Sequence, residues 1–386
     1  MAPSAPTSAP PDNVRKTPLR RASVFWQRVS EGRAVDDLWS QFAADARSSY
    51  GFYGKDVDWD EISKLPHWKR PLRVAIQFFW ALMNKLSPAR RVLLLIALVM
   101  LFFSGFKFET NNTNFQINGD LIAALLFMLL LSLELADKVI MKRDLEIARE
   151  IQTWLVPSVA PAIPGAEVAF WTRAQNSVAG DYYDAFYPTL DGSSGGKLML
   201  VMADVAGKSV PAALLMATLQ ASLRTIASEG VPLQQLAERL NQYACAHSLD
   251  GQRFTTAVVA EYDPPTGQLQ YVNAGHNSPV IRRGDGSIER LDSGSLPFGI
   301  TPEAQFAAYT INLRATDTLV LFTDGVVEAF NAAGEEFSDP RWTNVIRSMP
   351  VVTASETLKY LMASVSDFVG ATHQSDDITC LVLRCK

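Results

Sequence analysis

Two long apolar stretches stand out in the hydrophobic pattern of the chain, and a polar segment separates them. Residues 92–108 read VLLLIALVMLFFSGFKF and residues 119–136 read GDLIAALLFMLLLSLELA, with few charged side chains in either. A helix needs about 20 apolar residues, within a range of about 17–25, to cross a bilayer. The pattern therefore predicts a transmembrane hairpin over residues 91–136, with one span at 92–108 and the other at 119–136.

Basic residues flank both outer ends of this hairpin. Lys85, Arg90 and Arg91 precede the first stretch and Lys138 and Lys142 follow the second, whereas the connecting segment ETNNTNFQING has no Lys or Arg. Basic residues remain on the cytoplasmic side of a membrane, so the pattern predicts two spans with both termini in the cytoplasm. A pair of buried helices in a soluble domain is the alternative interpretation.

A helical pattern continues beyond the second stretch through residues 137–157, where Pro157 ends it. Its apolar positions predict one seam of a coiled coil, and hence a homodimer formed through this linker. Asp137 and Asp144 occupy the companion seam, so a lone amphipathic helix packed on its own domain is the alternative. The seven-residue spacing is kept by Leu133, Ile140, Ile147 and Trp154.

The N-terminal 91 residues differ in charge from the rest of the chain. They hold 15 Lys and Arg against 9 Asp and Glu, a net charge of +6, whereas the remainder holds 20 against 31, a net charge of −11. Residues 1–23 are rich in Pro, Ala and Ser, which predicts a disordered tail. Residues 24–90 form a basic, aromatic cytoplasmic arm that suits an anionic lipid surface. The acidic remainder argues against a nucleic-acid partner.

Residues 158–386 alternate between short strand patterns and longer helical patterns, without regular βαβ repeats. Such an order is typical of antiparallel sheets with helices packed outside. Strands are predicted at 167–174, 182–187, 197–203, 255–262, 269–273, 318–323 and 378–383. Helices are predicted at 211–227, 233–247 and 353–369.

Four aspartates follow or begin these strand-like runs, each in a short motif of its own. Asp181 lies in VAGDYYD, Asp204 in MADVAGKS, Asp324 in LFTDGVVEA and Asp376 in QSDDIT. The His and Cys spacing of a zinc site is absent, and a set of oxygen ligands is typical of Mg²⁺ or Mn²⁺. Two divalent ions about 4 Å apart bind a phosphoryl anion and lower the pKa of a water molecule. The motifs therefore predict phosphoryl chemistry.

In order and spacing, these motifs resemble the PPM family of metal-dependent protein serine/threonine phosphatases, in its bacterial SpoIIE/RsbU-like branch. The resemblance covers roughly residues 144–386 and includes AREIQTWLVP, VPAALLMATLQASLR, YVNAGHNSP and SLPFGI. It implies an α+β fold, an αββα sandwich of two antiparallel sheets flanked by helices, with metals at one end of the sheets. The transmembrane hairpin and the helical linker would precede this domain.

The resemblance also implies a role for each motif residue, with two Mn²⁺ or Mg²⁺ ions per site. Asp181 would bridge both ions, Asp204 would bind one ion together with the backbone carbonyl of Val205, and Asp324 would bind the second ion. Asp376 would be the last ligand. For any one of these aspartates taken alone, a turn or a helix cap is the alternative.

Four further residues adjoin the predicted ligands or offer a proton donor. Gly180 and Gly325 lack side chains, so the backbone can approach an ion or bend sharply there. Asp377 is expected to support the ligands without binding the metal. His276 in NAGHNSP is a candidate general acid. A structural hydrogen-bonding role in a turn is the alternative for His276.

These expectations combine into a membrane-anchored bacterial protein phosphatase located in the inner membrane. The resemblance implies direct attack by metal-activated water, without a phosphoenzyme, on phosphoserine or phosphothreonine. It also implies that the substrate is a phosphorylated STAS-type anti-sigma-factor antagonist. Two alternatives remain: a catalytically weak scaffold that only binds a phosphoprotein, and a small-molecule phosphatase that uses the same metals.

Overall fold

Most of the chain is described by a computed structural model. The described residues are 68–103, 108–110, 113–115, 119–188, 196–247, 253–292 and 294–386, together with Trp59, Ile62 and Pro66. By their internal contacts they fall into two compact units, residues 1–136 and residues 137–386. The predicted tail at 1–23 and most of the predicted arm at 24–90 lie outside the described residues.

The described part of the first unit consists of apolar helices and a small β-ladder. Helix α1 (Arg70–Lys85) is followed by helix α2 (Pro88–Phe103). Strand β1 (Phe108–Thr110) pairs antiparallel with strand β2 (Thr113–Phe115). Helix α3 (Gly119–Leu155) follows β2 and continues into the second unit. One helix thus covers both the predicted second span and nearly all of the predicted linker.

The predicted first span differs from the structure at its C-terminal end. Helix α2 has 16 residues and ends at Phe103, and Phe108 pairs with Phe115 in the β-ladder, which a helical residue cannot do. The guanidinium of Arg90 in α2 lies 2.9 Å from the carboxylate of Glu134 in α3, so the two apolar helices are in contact. Among the described helices, α3 and the helix Val210–Ser228 are long and apolar enough to cross a membrane.

Ten strands form two five-stranded antiparallel sheets in the second unit. The strands of the first sheet are β4 (Tyr182–Phe186), β5 (Leu198–Val205), β6 (Thr255–Asp263), β7 (Gln268–Ala274) and β10 (Tyr309–Asn312). Those of the second sheet are β3 (Ala166–Arg173), β8 (Val280–Arg282), β9 (Ile288–Arg290), β11 (Thr318–Phe322) and β12 (Ile378–Cys385). The strand order is β10-β7-β6-β5-β4 in the first sheet and β3-β12-β11-β8-β9 in the second.

Alternating side chains along the central strands divide the core into three apolar layers. In β5, Leu200 and Met202 pack between the two sheets, whereas Val201 packs against helices outside the first sheet. In β11, Leu321 packs between the sheets and Val320 against helices outside the second sheet. Successive residues of a strand point to opposite faces, so buried strands with helices on both outer faces need apolar residues throughout. The predicted αββα sandwich is confirmed.

The helices of this unit cover the outer faces of both sheets. Helix α8 begins with a capping box, in which Thr353 and Glu356 each bond the other's backbone N–H group, and this arrangement fixes its first turn. The helices are α4 (Val210–Ser228), α5 (Leu233–Ala246), α6 (Asp324–Val327), α7 (Asp339–Ser348) and α8 (Ala354–Val369).

Helix α4 is as apolar as a membrane span because it packs in the core. Its buried residues recur every three or four positions and face the first sheet. This burial identifies α4 as a core helix of the second unit, and α3 as the remaining span candidate among the described residues. The buried residues of α4 are Ala212, Met216, Leu219, Leu223 and Ala227.

An ion pair between a buried carboxylate and a partly exposed arginine also ties α4 to the sheet. The carboxylate of Asp184 in β4 is fully buried and accepts two hydrogen bonds from Arg224 of α4, at 2.8 and 3.0 Å. The Tyr182 hydroxyl donates a third at 2.7 Å, and the guanidinium lies 4.3 Å from the Phe186 ring centre. Two-pronged bonds of this kind set orientation as well as distance. They therefore fix α4 relative to β4.

Candidate metal centre

The first sheet brings two of the predicted ligands together. Asp181 directly precedes β4, and Asp204 is the penultimate residue of β5. In the antiparallel register Tyr182 is opposite Ala203, so the start of β4 lies beside the end of β5. The two carboxylates are therefore neighbours at one end of this sheet, although a whole strand separates them in sequence.

The second sheet brings the other two together in the same way. Asp324 follows β11 as the first residue of α6, and Asp376 lies two residues before β12. Phe322 pairs with Cys380, so the end of β11 lies beside the start of β12. The antiparallel order of each sheet thus explains why motifs far apart in sequence meet at one end.

Two threonine hydroxyls of the second sheet join it to Asp181. Thr323 and Thr379 both donate to Oδ2 of Asp181, at 2.9 and 2.5 Å. Thr323 in turn accepts the backbone N–H of Thr379 at 3.0 Å. All three side chains are buried. The carboxylate of Asp181 is consequently held in one orientation by both sheets.

Asp377 positions the loop that leads to Asp181. Its Oδ1 accepts the N–H of Gln175 and its Oδ2 accepts the N–H of Gly180, both at 2.6 Å. Both carboxylate oxygens are thus engaged by backbone. A Cβ added at Gly325 would lie 2.0 Å from the carbonyl oxygen of Asp377, so only glycine fits there. This contact brings the backbone after Asp324 against the Asp376–Asp377 segment.

Two more contacts surround the same loop. A Cβ added at Gly180 would lie 3.3 Å from the carbonyl oxygen of Val205, which shows how closely the two backbones approach. On the other side, the Gln152 side chain of α3 donates to the Ala179 carbonyl at 2.7 Å and accepts the Ala179 N–H at 2.9 Å. A cavity of about 230 Å³, lined in part by Gln152 and Asp181, lies beside this contact.

Burial and mutual repulsion raise the pKa values of the clustered carboxyl groups. Burial and the charge of Asp204 raise the pKa of Asp181, although the two threonine hydroxyls oppose the shift. Burial, together with Asp324, Asp376 and Asp377, raises the pKa of Asp204 to about 7. The pKa of Asp324 rises mainly through burial and Asp376. Negative charge at this end of the sheets is therefore unfavourable without a compensating cation.

The donor set fits a hard divalent cation in chemistry and in charge. Asp181, Asp204, Asp324 and Asp376 offer carboxylate oxygens, and Val205 offers a carbonyl oxygen. In the present arrangement, however, no group of three or more His, Cys, Asp or Glu side chains among the described residues converges closely enough to hold an ion.

Basic side chains near the cluster have different surroundings. The ammonium of Lys208 lies 3.0 Å from Oδ2 of Asp376, so this half-exposed side chain is paired with the cluster. The guanidinium of Arg173 bonds to the Gln374 side chain and lies 5.7 Å from the Trp171 ring centre. The Lys208 contact joins segments 168 residues apart, and no local sequence pattern indicates it.

His276 is buried, and both of its ring nitrogens have partners. Nε2 lies 3.1 Å from the carbonyl oxygen of Phe322, and Nδ1 lies 2.8 Å from the Thr256 hydroxyl. Since a carbonyl only accepts, Nε2 carries the proton and Nδ1 accepts from Thr256. Burial lowers the pKa of His276 to about 4, so the ring is neutral near pH 7. This geometry favours the structural role over the general acid.

A family comparison agrees with this arrangement. Residues 194–386 match the family described as stage II sporulation protein E (SpoIIE). The chain belongs to the SpoIIE family. Asp204, Asp324 and Asp376 lie within the matched residues, and Asp181 precedes them.

Relatives of this SpoIIE-family chain include named phosphatases. It is 27% identical over 249 residues to the phosphoserine phosphatase RsbU of Bacillus subtilis, covering 64% of this chain and 71% of RsbU. It is 25% identical over 249 residues to the phosphoserine phosphatase RsbP of the same organism, covering 63% of this chain and 57% of RsbP. The chain thus spans only part of each relative.

Solved structures show the same fold. The PP2C domain of SiaA from Pseudomonas aeruginosa matches with a TM-score of 0.57 at 20% identity, covering 65% of this chain and 99% of that domain. The PP2C phosphatase domain of SpoIIE from Bacillus subtilis, with a fragment of its regulatory domain, matches with a TM-score of 0.51 at 19% identity, covering 58% of this chain and 64% of that one. Family and fold identify the SpoIIE-family domain as a phosphatase of the PP2C type.

The raised pKa of Asp204 predicts how the metal-free protein responds to pH. The pKa is 3.8 for an ordinary aspartate and about 7 in the fold, so the fold favours the protonated group. In EDTA, the Asp204 shift should therefore lower the free energy of unfolding as the pH rises from about 4 to about 7. The lowered pKa of His276 acts in the opposite direction, so the expected fall is that of the wild type relative to a variant without a carboxyl group at position 204. Added Mn²⁺ should raise the melting temperature by about 3 °C or more at pH 7.5, and by less at pH 5. Scanning calorimetry measures both effects.

The variant Asp204→Asn is the control for this pH response. An amide does not titrate, so in EDTA the free energy of unfolding of the wild type should fall relative to that of the variant between pH 4 and pH 7, and Mn²⁺ should stabilise the variant less. A stability difference between the two metal-free proteins that is constant over this pH range would contradict the expectation.

Proposed function

We propose that this chain is a membrane-anchored protein serine/threonine phosphatase that hydrolyses phosphoserine or phosphothreonine on a regulatory protein. The observation that supports the proposal most directly is the meeting of Asp181, Asp204, Asp324 and Asp376 at one end of two sheets in a PP2C-type fold. A buried acidic cluster of this kind needs cations, and divalent cations are what a phosphoryl group needs for hydrolysis.

The four aspartates and the Val205 carbonyl would hold two Mn²⁺ or Mg²⁺ ions. When bound, such ions supply positive charge for the phosphoryl group and lower the pKa of a water molecule. The chain's own residues contribute orientation. Thr323 and Thr379 both donate to Oδ2 of Asp181, so the carboxylate is held in one orientation and Oδ1 would remain available to an ion. Asp377 holds the loop before Asp181 in place through two backbone N–H groups.

A phosphorylated protein is the substrate we favour, and a STAS-type antagonist of an anti-sigma factor is the specific proposal. The relatives RsbU and RsbP, named phosphoserine phosphatases, support a phosphoserine substrate. All four aspartates are present, which weighs against a catalytically weak scaffold. A small-molecule phosphatase with the same metals differs in its preference, since it would not distinguish a phosphoprotein from a simple phosphate ester.

Phosphate release from a phosphoserine STAS protein tests the proposed reaction. We expect turnover with Mn²⁺ or Mg²⁺ and none in EDTA. The variant Asp324→Asn should lower kcat/KM by about 100-fold or more, because it removes a charged ligand from the cluster. Released inorganic phosphate is measured directly.

The matched control for this assay is Asp367→Asn, which changes an exposed aspartate on α8 that is not one of the predicted ligands, and should retain full turnover. Activity in EDTA, or wild-type turnover by Asp324→Asn, would exclude the mechanism. Equal kcat/KM for p-nitrophenyl phosphate and for the phosphoprotein would favour the small-molecule alternative.

We also propose that α3 and the apolar helix α2 anchor the protein in the inner membrane, with the catalytic domain in the cytoplasm. Large apolar side chains are exposed on both helices, which supports burial in lipid. The apolar part of α3 has a mean hydropathy of 2.0 and is only 17% buried. Among the exposed side chains are Leu95, Val99, Phe102, Leu125, Met128 and Leu131.

Cell fractionation distinguishes a membrane span from binding through the basic arm. We expect the full-length protein to remain in the membrane pellet after washes with about 1 M salt, which limits electrostatic attraction to about 3 Å. Detergent should release it. A fragment that begins at Asp144 should remain in the supernatant. Release of the full-length protein by salt alone would indicate electrostatic binding through the arm and would exclude the spans.

A homodimer through residues 137–157 is a further part of the proposal. Ile140, Ile147 and Trp154 are exposed on α3 at seven-residue spacing, which supports a coiled-coil seam. With Ile147→Cys, we expect oxidative crosslinking of two copies, whereas Lys142→Cys, off the seam, should crosslink less. Equal crosslinking at the two positions, or none at either, would favour a lone helix.

A further inference from the structure

Lys208 forms an ion pair with Asp376, one of the predicted metal ligands. It lies in the loop between β5 and α4, four residues after Asp204, and its ammonium is 3.0 Å from Oδ2 of Asp376. The ammonium also donates to the Ser375 carbonyl at 3.0 Å and lies 3.5 Å from Oε1 of Gln175. One lysine therefore bridges the loop after β5 to the segment before β12.

The remaining oxygen of Asp376 is also engaged. Oδ1 of Asp376 accepts the backbone N–H of Asp377 at 2.9 Å, whereas Oδ2 is paired with the ammonium of Lys208. The positive charge of Lys208 also acts on Asp204 and Asp324. A divalent cation that takes Oδ2 of Asp376 must therefore compete with an ammonium already in place.

The loop geometry keeps this ammonium close to the cluster. Gly207 has φ of +114° and Ser209 has φ of +64°, so the backbone turns sharply on both sides of Lys208. The Ala206 N–H donates to the Phe254 carbonyl at 2.9 Å, which fixes the start of the turn. An ammonium displaced from Asp376 therefore remains tethered beside the site and stays available to an anion.

We propose that Lys208 is an internal counter-ion that yields Asp376 to a divalent cation and then binds the phosphoryl anion of the substrate. The second step rests on the proposed phosphatase function, whereas the first depends only on metal binding. Arg173 is less suited to the same task, because its guanidinium is bonded to Gln374 and packs near Trp171.

Calorimetric titration of Mn²⁺ into the metal-free, detergent-solubilised full chain tests the first step. Lys208→Met removes the competing charge at similar side-chain length, so the Kd for Mn²⁺ should fall about tenfold, an order of magnitude set by charges a few ångströms apart. Lys208→Arg keeps the charge and should remain within about twofold of wild type. The matched control is Lys197→Met, which removes an exposed lysine paired with Glu261 away from the cluster and should also remain close to wild type.

Binding of inorganic phosphate to the Mn²⁺-saturated protein tests the second step. Lys208→Met should weaken phosphate binding about tenfold, and Lys208→Arg should restore most of it. Unchanged or weaker Mn²⁺ binding by Lys208→Met would overturn the exchange, as would unchanged phosphate binding. If both effects occur but no phosphoprotein is hydrolysed, the exchange stands and the proposed phosphatase function fails.

Discussion

Repulsion between carboxylates at the shared end of two sheets is the constraint on which the rest of this domain depends. Burial strengthens the repulsion, because the low dielectric of the interior screens charge poorly. The pKa of Asp204 rises to about 7 and that of Asp181 also rises, so the fold alone does not favour the charged forms. The domain tolerates the cluster because the large apolar layers between and outside the sheets stabilise it elsewhere.

The neighbours of the cluster divide this electrostatic problem among them. Neutral hydroxyls of Thr323 and Thr379 stabilise the charge of Asp181 without occupying both of its oxygens. Backbone N–H groups bind both carboxylate oxygens of Asp377, so this residue supports the loop before Asp181. Lys208 supplies a positive charge beside Asp376, and in the exchange we propose a divalent cation replaces this charge. Rigid support and one exchangeable cation are compatible because they act on different carboxylates.

The sequence predicts the central part of this fold well, and the reasons are physical. Long strands such as Thr255–Asp263 carry continuous apolar runs because both faces are buried, and α4 and α8 show helical periodicity. Strands β8, β9 and β10 are missed because they have only three or four residues, too few for a period to be visible. In the site, the aspartates could be selected by motif. The Lys208 pairing and the threonine bonds could not, because they join segments more than 140 residues apart. Similarly, a lone histidine in a turn does not reveal that both its nitrogens are occupied.

The pairing of β3 with β12 has a consequence for how the chain folds. Thr172 and Thr379 are 207 positions apart, yet their hydroxyls touch where the edge strand β3 pairs with β12. Closing so long a loop costs entropy before any contact compensates for it, so a topology of this kind reaches its native state slowly. Strand β3 leads into the loop before Asp181, and β12 begins two residues after Asp376. Pairing of these two strands therefore also brings the acidic residues together. A partly assembled chain therefore lacks the geometry to sequester ions.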